Sequence, residues 1–173
     1  MTIRQEIKKY MKLKFCCFTF SKITTHLNDK GEEKKKLIGC PTTEQRNNLT
    51  VDSPYFIDDH KCVGIMTGQR SNITVIDCDN AESYNKFLSE YPDFKDYYTV
   101  KTNKGYHIYC KFTDKVKSCI NKMNDGVDIL SDNYFVIAPP TTYKLLNKTV
   151  ASYEYIGGKI KEFPKFLLDR YSD

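Results

Sequence analysis

Three short stretches of this sequence hold residue types that do chemistry, at spacings that matter. Asp77 and Asp79 close the run Ile73-Thr74-Val75-Ile76-Asp77-Cys78-Asp79. Side chains alternate faces along a strand, so the two carboxylates share one face, roughly 6–7 Å apart. Ile76 and Cys78 point to the other. Two carboxylates at the end of an apolar strand are costly unless solvated, paired or bound to a cation. Their spacing suits oxygen ligation of Mg²⁺ or Mn²⁺. A solvated strand end before a helix cap would show the same pair. His107 lies in Lys104-Gly105-Tyr106-His107-Ile108-Tyr109, on the face opposite Ile108. A lone strand histidine is more often structural than functional. Asp128 sits between Val127 and Ile129 and faces away from both.

The elements around these residues are legible as patterns. Residues 1–11 read as a short amphipathic helix, 12–20 as a strand and 27–36 as a charged hairpin loop. Residues 41–60 lack clear periodicity, with a helix or turns around Thr42–Asn48. Lys61–Thr67 and Asn72–Cys78 are apolar runs split by Gly68-Gln69-Arg70-Ser71, a hairpin signature. Asn80 caps a helix over 80–90, which Pro92 ends. Tyr97–Thr102 and Tyr106–Phe112 form a second hairpin around Asn103-Lys104-Gly105. Residues 113–124 are polar, with room for one helical turn. Val127–Leu130 and Tyr134–Ala138 read as a third hairpin around Ser131-Asp132-Asn133, stopped by Pro139-Pro140. A last strand over 152–156 and a helix over Phe163–Tyr171 follow. The fold class is α+β with a mostly antiparallel sheet.

Consecutive hairpins usually pair into one sheet. Asp77, Asp79, His107 and Asp128 then converge on one face. Three carboxylates, a histidine and nearby lysines form a toolkit for two-metal phosphoryl transfer.

The composition bounds the alternatives. The chain has 173 residues, 40% of them hydrophobic, enough for one domain with a real core. No apolar run is long enough to cross a bilayer, so no membrane partner is expected, and no signal-peptide cleavage site is read. There is no G-x-G-x-x-G and no Walker-type loop. The seven cysteines are scattered without a C-x-x-C pair, which argues for core residues in a reducing, cytoplasmic compartment rather than a zinc site. Net charge is +5 and uneven. Residues 1–50 hold 11 Lys/Arg against 5 Asp/Glu, including Lys34-Lys35-Lys36, whereas residues 51–173 hold 16 against 17. This is either a solvated charged loop or an electrostatic footprint for nucleic acid.

The ordered motifs resemble the prim-pol branch of the archaeo-eukaryotic primase superfamily. They are Gly64-Ile-Met-Thr67-Gly68, Ser71 through Asp79, Thr99 through Tyr109, Gly126-Val-Asp128-Ile, and Tyr134-Phe-Val-Ile-Ala-Pro139-Pro140-Thr141. They span about residues 60–143, and they look like the N-terminal domain of a large-DNA-virus or plasmid primase–helicase. The resemblance implies that Asp77, Asp79 and Asp128 hold two metals, Mg²⁺ or Mn²⁺. It implies that His107 contacts the triphosphate of the incoming nucleotide. Lys104, Thr141 and Thr142 lie where further nucleotide contacts fall, and Arg70 and Lys144 are weaker candidates. It implies a single catalytic domain, with a basic N-terminal α/β module over 1–60 and an RRM-like catalytic module over 61–173. The active site of such a domain lies between its two modules, with the basic segment on the template side.

There are departures. Only about 20 residues separate His107 from Asp128, with no Cys/His cluster between them, so the zinc stem of some relatives is not expected. Helical accessory and helicase parts, on which priming often depends, are not seen. The expected function is a DNA primase/polymerase acting in DNA replication on single-stranded DNA template and nucleoside triphosphates. A helicase partner and a host-cytoplasm or viral-replication-site location go with that expectation. The rivals are a catalytically silent RRM-like binder of single-stranded nucleic acid and a two-metal nuclease.

Overall fold

A computed structural model describes residues 2–123 and 125–172. In chain order its elements begin with α1 (Ile3–Lys12), β1 (Cys17–Phe20), β2 (Lys22–Leu27), β3 (Glu33–Ile38), α2 (Thr43–Asn47) and β4 (Cys62–Met66). Next come β5 (Ile73–Cys78), α3 (Ala81–Glu90), β6 (Tyr98–Lys101), β7 (Tyr106–Lys111), β8 (Val127–Leu130) and β9 (Phe135–Ala138). The last are β10 (Thr142–Lys144), β11 (Val150–Ser152), β12 (Glu154–Gly157) and α4 (Lys165–Tyr171). They divide into two compact units, Met1–Ile65 with Ile137–Tyr153, and Met66–Val136 with Glu154–Asp173. The α+β class with antiparallel sheets is the one expected.

In the first unit, α1 starts at a capping box in which Thr2 and Gln5 exchange bonds of 2.8 and 3.1 Å. The helix buries Ile7 and Tyr10. β1 pairs antiparallel with β4, β2 with β3, and β10 with β11. Residues 27–36 are therefore not all loop, because Lys34, Lys35 and Lys36 lie in β3. The boundary at 60/61 also moves. Residues 61–65 and 137–153 belong to the first unit, for reasons visible in its hydrogen bonds. The Tyr10 hydroxyl donates to the Pro139 carbonyl at 2.6 Å, and the Val63 N–H donates to Thr141 Oγ1 at 2.9 Å.

The second unit is built on a five-stranded sheet in the order β12-β6-β7-β5-β8, antiparallel throughout. Without β12, this is the strand order of a split βαβ, RRM-like module. One face of the sheet carries Ile76, Cys78, Ile108, Cys110, Val127 and Ile129. These pack with Tyr84 and Phe87 of α3, Phe94 of the 3-10 turn Pro92–Asp96, and Leu167 and Tyr171 of α4. No helix forms between β7 and β8 among the described residues. The segment there is tied down instead by bridges Val116–Ser172 and Cys119–Ile129. The side of the core left without a second RRM-type helix is filled by α4.

Of the three expected hairpins only β6–β7 forms. β4 and β5 enter different sheets, because Gly68 (φ 83°) and Asn72 (φ 55°) turn the chain so that only Gly68 and Ile73 bridge. β8 and β9 also part. The intervening Ser131 carbonyl accepts from Thr67 Oγ1 at 2.5 Å, and its N–H donates to Ser118 Oγ at 2.8 Å. These bonds hold the segment as an anchored crossover rather than a hairpin turn. The expected strand over 152–156 is likewise two strands in two sheets. All seven cysteines are free, and five are fully buried.

Phe94 is sealed from solvent, with the rings of Phe87, Tyr91, Tyr97 and Phe166 at 5.2–6.2 Å. Phe94→Ala should destabilise the chain by about 3–5 kcal/mol. Urea unfolding would show this as a lower midpoint with unchanged slope. A midpoint within error of wild type would mean that this ring cluster does not anchor the sheet.

Candidate active site

β5 is the central strand of the site because both of its neighbours carry a functional residue in register with it. Asp77 stands opposite His107 of β7 on one side and Asp128 of β8 on the other. Directly opposed residues share a face. The face that holds Asp77 also holds Val75, Tyr109, Val100 and Tyr98, while the helices cover the other. Asp79 follows the end of β5, and its N–H donates to the Gly126 carbonyl at 2.8 Å. That bond ties the first acidic motif to the entry of β8.

The carboxylates of Asp77, Asp79 and Asp128 offer oxygen atoms that all lie within 4.8 Å of one another. Asp77 and Asp128 are half-buried and Asp79 is exposed. Desolvation, and then the charges of Asp77, Asp128 and Asp125, push the Asp79 carboxyl up to about 6. An all-oxygen, mutually repelling carboxylate set is what a hard divalent cation neutralises. These three residues therefore fit such an ion. Asp128 Oδ1 also accepts the Asn121 N–H at 2.9 Å, which fixes that carboxylate. His107 is buried, with Nε2 at 3.5 Å from Asp77 Oδ1.

Gly105 explains how the β6–β7 turn reaches the acids. Its N–H donates to Thr102 Oγ1 at 3.1 Å, and its carbonyl accepts the Thr102 N–H at 2.9 Å. A Cβ here would collide with the Cys78 carbonyl, and would stand 2.8 Å from the Asp79 carbonyl carbon. Only glycine lets the turn bearing Lys104 lie against the backbone of the acidic motif. Lys104 itself is exposed, as is Arg70 on the turn before β5.

The other candidates lie in the first unit. Thr141 is fully buried, and its hydroxyl accepts the Val63 N–H. Thr142 and Lys144 are exposed on β10, paired with Ser152 and Val150.

Asp125 escaped the sequence reading. Its Oδ2 accepts the Tyr171 hydroxyl at 2.9 Å and lies 3.3 Å from Arg170 Nη2, and its Oδ1 accepts the Val127 N–H at 3.1 Å. Helix α4 thus pins the start of β8, three residues from Asp128. The Asp125-Gly126 pair is readable only as a turn, and its partners Arg170 and Tyr171 lie 45 and 46 residues downstream.

The second unit thus carries a split βαβ sheet with helices on one face and clustered carboxylates beside a histidine on the other. The family model described as bifunctional DNA primase/polymerase, N-terminal, matches residues 44–166, and the chain belongs to this Prim-Pol family. No curated protein matches the chain. Membership makes nucleotidyl transfer its general activity, nucleic acid and nucleotides its substrates, and divalent metal its requirement. No helix among the described residues is long and apolar enough to cross a membrane.

Two outcomes test this geometry. Gly105→Ala should cost about 1–3 kcal/mol, because backbone rather than a flexible side chain must give way. A wild-type urea midpoint would mean that the turn does not need its close approach. The second test uses the raised Asp79 carboxyl. A raised acid stabilises the fold fully below its ordinary value of 3.8, and this contribution is lost as pH rises through about 6. Cation binding competes with that proton. Mn²⁺ should therefore raise the melting temperature strongly at pH 7.5 and little at pH 5, and not at all in Asp77→Ala/Asp79→Ala. An equal shift in the double variant would place the ion elsewhere.

Proposed function

We propose that this chain catalyses template-directed nucleotidyl transfer in DNA replication. A 3′-hydroxyl attacks the α-phosphorus of a bound nucleoside or deoxynucleoside triphosphate. The bond from the α-phosphorus to the α–β bridging oxygen breaks, and pyrophosphate leaves. The observation that carries this reading is the register of β5. It sets Asp77 between His107 and Asp128, with Asp79 completing a carboxylate group whose oxygens lie within 4.8 Å.

Asp77, Asp79 and Asp128 would hold two divalent cations, Mg²⁺ or Mn²⁺. When bound, such ions activate the attacking hydroxyl and neutralise the leaving oxygen. The rest falls to the chain. The Asn121 amide holds Asp128 in orientation. His107, its ring packed at the centre of the sheet, donates an N–H to the triphosphate from a position set before the nucleotide arrives. Lys104 and Arg70 offset phosphate charge from exposed turns. Thr142 and Lys144, exposed on β10 of the first unit, carry no part of this reading. Thr141 is given no such role, because its hydroxyl is sealed and committed to Val63. The template is single-stranded DNA, which a helicase would supply.

The aromatic residues argue against a silent binder. RRM-type binding stacks bases on exposed aromatics of the sheet, whereas on this face Tyr98 and Tyr109 are 8% and 0% exposed and the exposed ring of Tyr155 sits on the edge strand β12, against Tyr98.

The deciding experiment pairs single-stranded DNA affinity with nucleotide incorporation on a primed template. Asp77→Ala should abolish incorporation and leave DNA affinity intact. His107→Ala should raise the apparent nucleotide KM about tenfold or more, since a charge-assisted bond to phosphate is worth about 1.5–3 kcal/mol. Wild-type chain that binds DNA but incorporates nothing with either metal would establish the silent module. Metal-dependent cleavage without extension would establish a nuclease.

A further inference from the structure

The β2–β3 ribbon of the first unit has two unlike faces, and its register separates them. Ile23 pairs with Leu37, Thr25 with Lys35, and Leu27 with Glu33. This inner face is anchored within its unit. The Thr25 hydroxyl donates to the Lys144 carbonyl at 3.0 Å, and the Glu33 carboxylate accepts the Leu146 N–H at 2.6 Å. Lys35 Nζ donates to the Tyr153 hydroxyl at 2.8 Å and lies 5.8 and 5.6 Å from the ring centres of Tyr143 and Tyr153. Lys35 is exposed like its neighbours, but its ammonium is held by these two tyrosines.

The outer face carries the other members of each pair: Lys22 with Ile38, Thr24 with Lys36, and His26 with Lys34. Lys22, Thr24, His26, Lys34 and Lys36 are all exposed. None of the six positions is acidic. The nearest acid in the turn, Glu32, lies 3.9 Å from Lys34 with both side chains more than half exposed, too solvated to cancel the charge. The face is a fixed basic platform, held rigid from behind. The ring it carries is the imidazole of His26, and stacking on such a ring is tolerant of base identity.

Resting on the reading of this chain as a template-directed enzyme, we infer that the outer face of the β2–β3 ribbon, through Lys22, Lys34 and Lys36, binds the phosphate backbone of single-stranded nucleic acid independently of base sequence. Phosphate contacts position a strand and carry no sequence information. Lys34 and Lys36, two residues apart on one strand, stand roughly 6–7 Å apart along it, in a row. Lys22 extends the charged face on the neighbouring strand. The basic run in the sequence therefore divides, with its outer two lysines for the ligand and the middle one for the fold.

The test is the salt dependence of affinity, measured by anisotropy with a labelled mixed-sequence single-stranded DNA. Each lost phosphate contact lowers the log–log slope by about 0.7. Lys22→Ala/Lys34→Ala/Lys36→Ala should therefore reduce the slope by about 2, alike for homopolymer and mixed strands. Two controls separate site from net charge. Lys35→Ala should lower the melting temperature and leave the slope. Lys95→Ala/Lys159→Ala/Lys161→Ala removes three charges from the basic cleft of the second unit and should leave the slope as well. Equal loss in that cleft variant, or an unchanged slope in the ribbon variant, overturns the inference. Incorporation separates its failure from that of the enzyme reading. At saturating primed template the ribbon variant should keep wild-type kcat. An unchanged slope with normal incorporation sinks the ribbon alone. Wild-type chain that neither binds the strand nor incorporates sinks both.

Discussion

Three carboxylates whose oxygens approach within 4.8 Å of one another repel. Each pair costs on the order of 1–3 kcal/mol, depending on how much water screens it. A flexible chain would relieve this by letting the acids swing apart. Here they cannot, because two of them are opposed residues in a ladder, and the third is tied by its own N–H to the Gly126 carbonyl. The sheet holds the repulsion in place, and the repulsion adds to desolvation, the larger cause, in raising the Asp79 carboxyl to about 6. A site under this strain favours whatever brings positive charge to it.

Much of the second unit reads as support for that arrangement. The helical face supplies the burial: α3, α4 and the 3-10 turn close over Ile76, Ile108 and Ile129, the neighbours in sequence of Asp77, His107 and Asp128. Every functional residue thus has an adjacent core residue on the opposite face, so its backbone is locked by packing. The loops are secured separately. Gly105 admits the β6–β7 turn to the acidic motif, and Asp125 receives Tyr171 and Arg170 from α4. Asp125 adds a further negative charge near Asp79, and Arg170 offsets part of it. Burial of the Cys78 thiol, together with the neighbouring Asp77 and Asp79, keeps it protonated, so it is a packing group and not a nucleophile.

The first unit obeys the same economy with different residues. Its strands are short, and it relies on cross-connections between remote segments. Tyr10 to Pro139, Val63 to Thr141 and Thr25 to Lys144 join its two stretches of chain. Thr141 illustrates the consequence. It lies in a stretch that looks functional, next to Pro139-Pro140, yet its hydroxyl completes a backbone hydrogen bond in the interior.

The carboxylate pair, the strand on which it sits, the helix after Asn80 and the β6–β7 hairpin were legible because each depends on neighbours a few residues away. Alternation along a strand put Asp77 and Asp79 together, and placed His107 and Asp128 opposite their apolar neighbours. The convergence of these residues also followed, although for a partly mistaken reason. Two of the three supposed hairpins do not exist, and β5, β7 and β8 meet through pairings that skip over other segments. Which apolar runs pair is decided by positive-φ residues such as Gly68 and Asn72, and by hydroxyls such as those of Thr67 and Ser118. These are single bonds whose partners are far apart in sequence. For the same reason the lysine run could be counted but not divided. Only the register of β2 against β3 puts Lys35 on the face that meets Tyr153 and Lys34 and Lys36 on the opposite one. Local sequence dictates which face of a strand a side chain takes relative to its neighbours. What that face meets is set by long-range pairing, which no local pattern encodes.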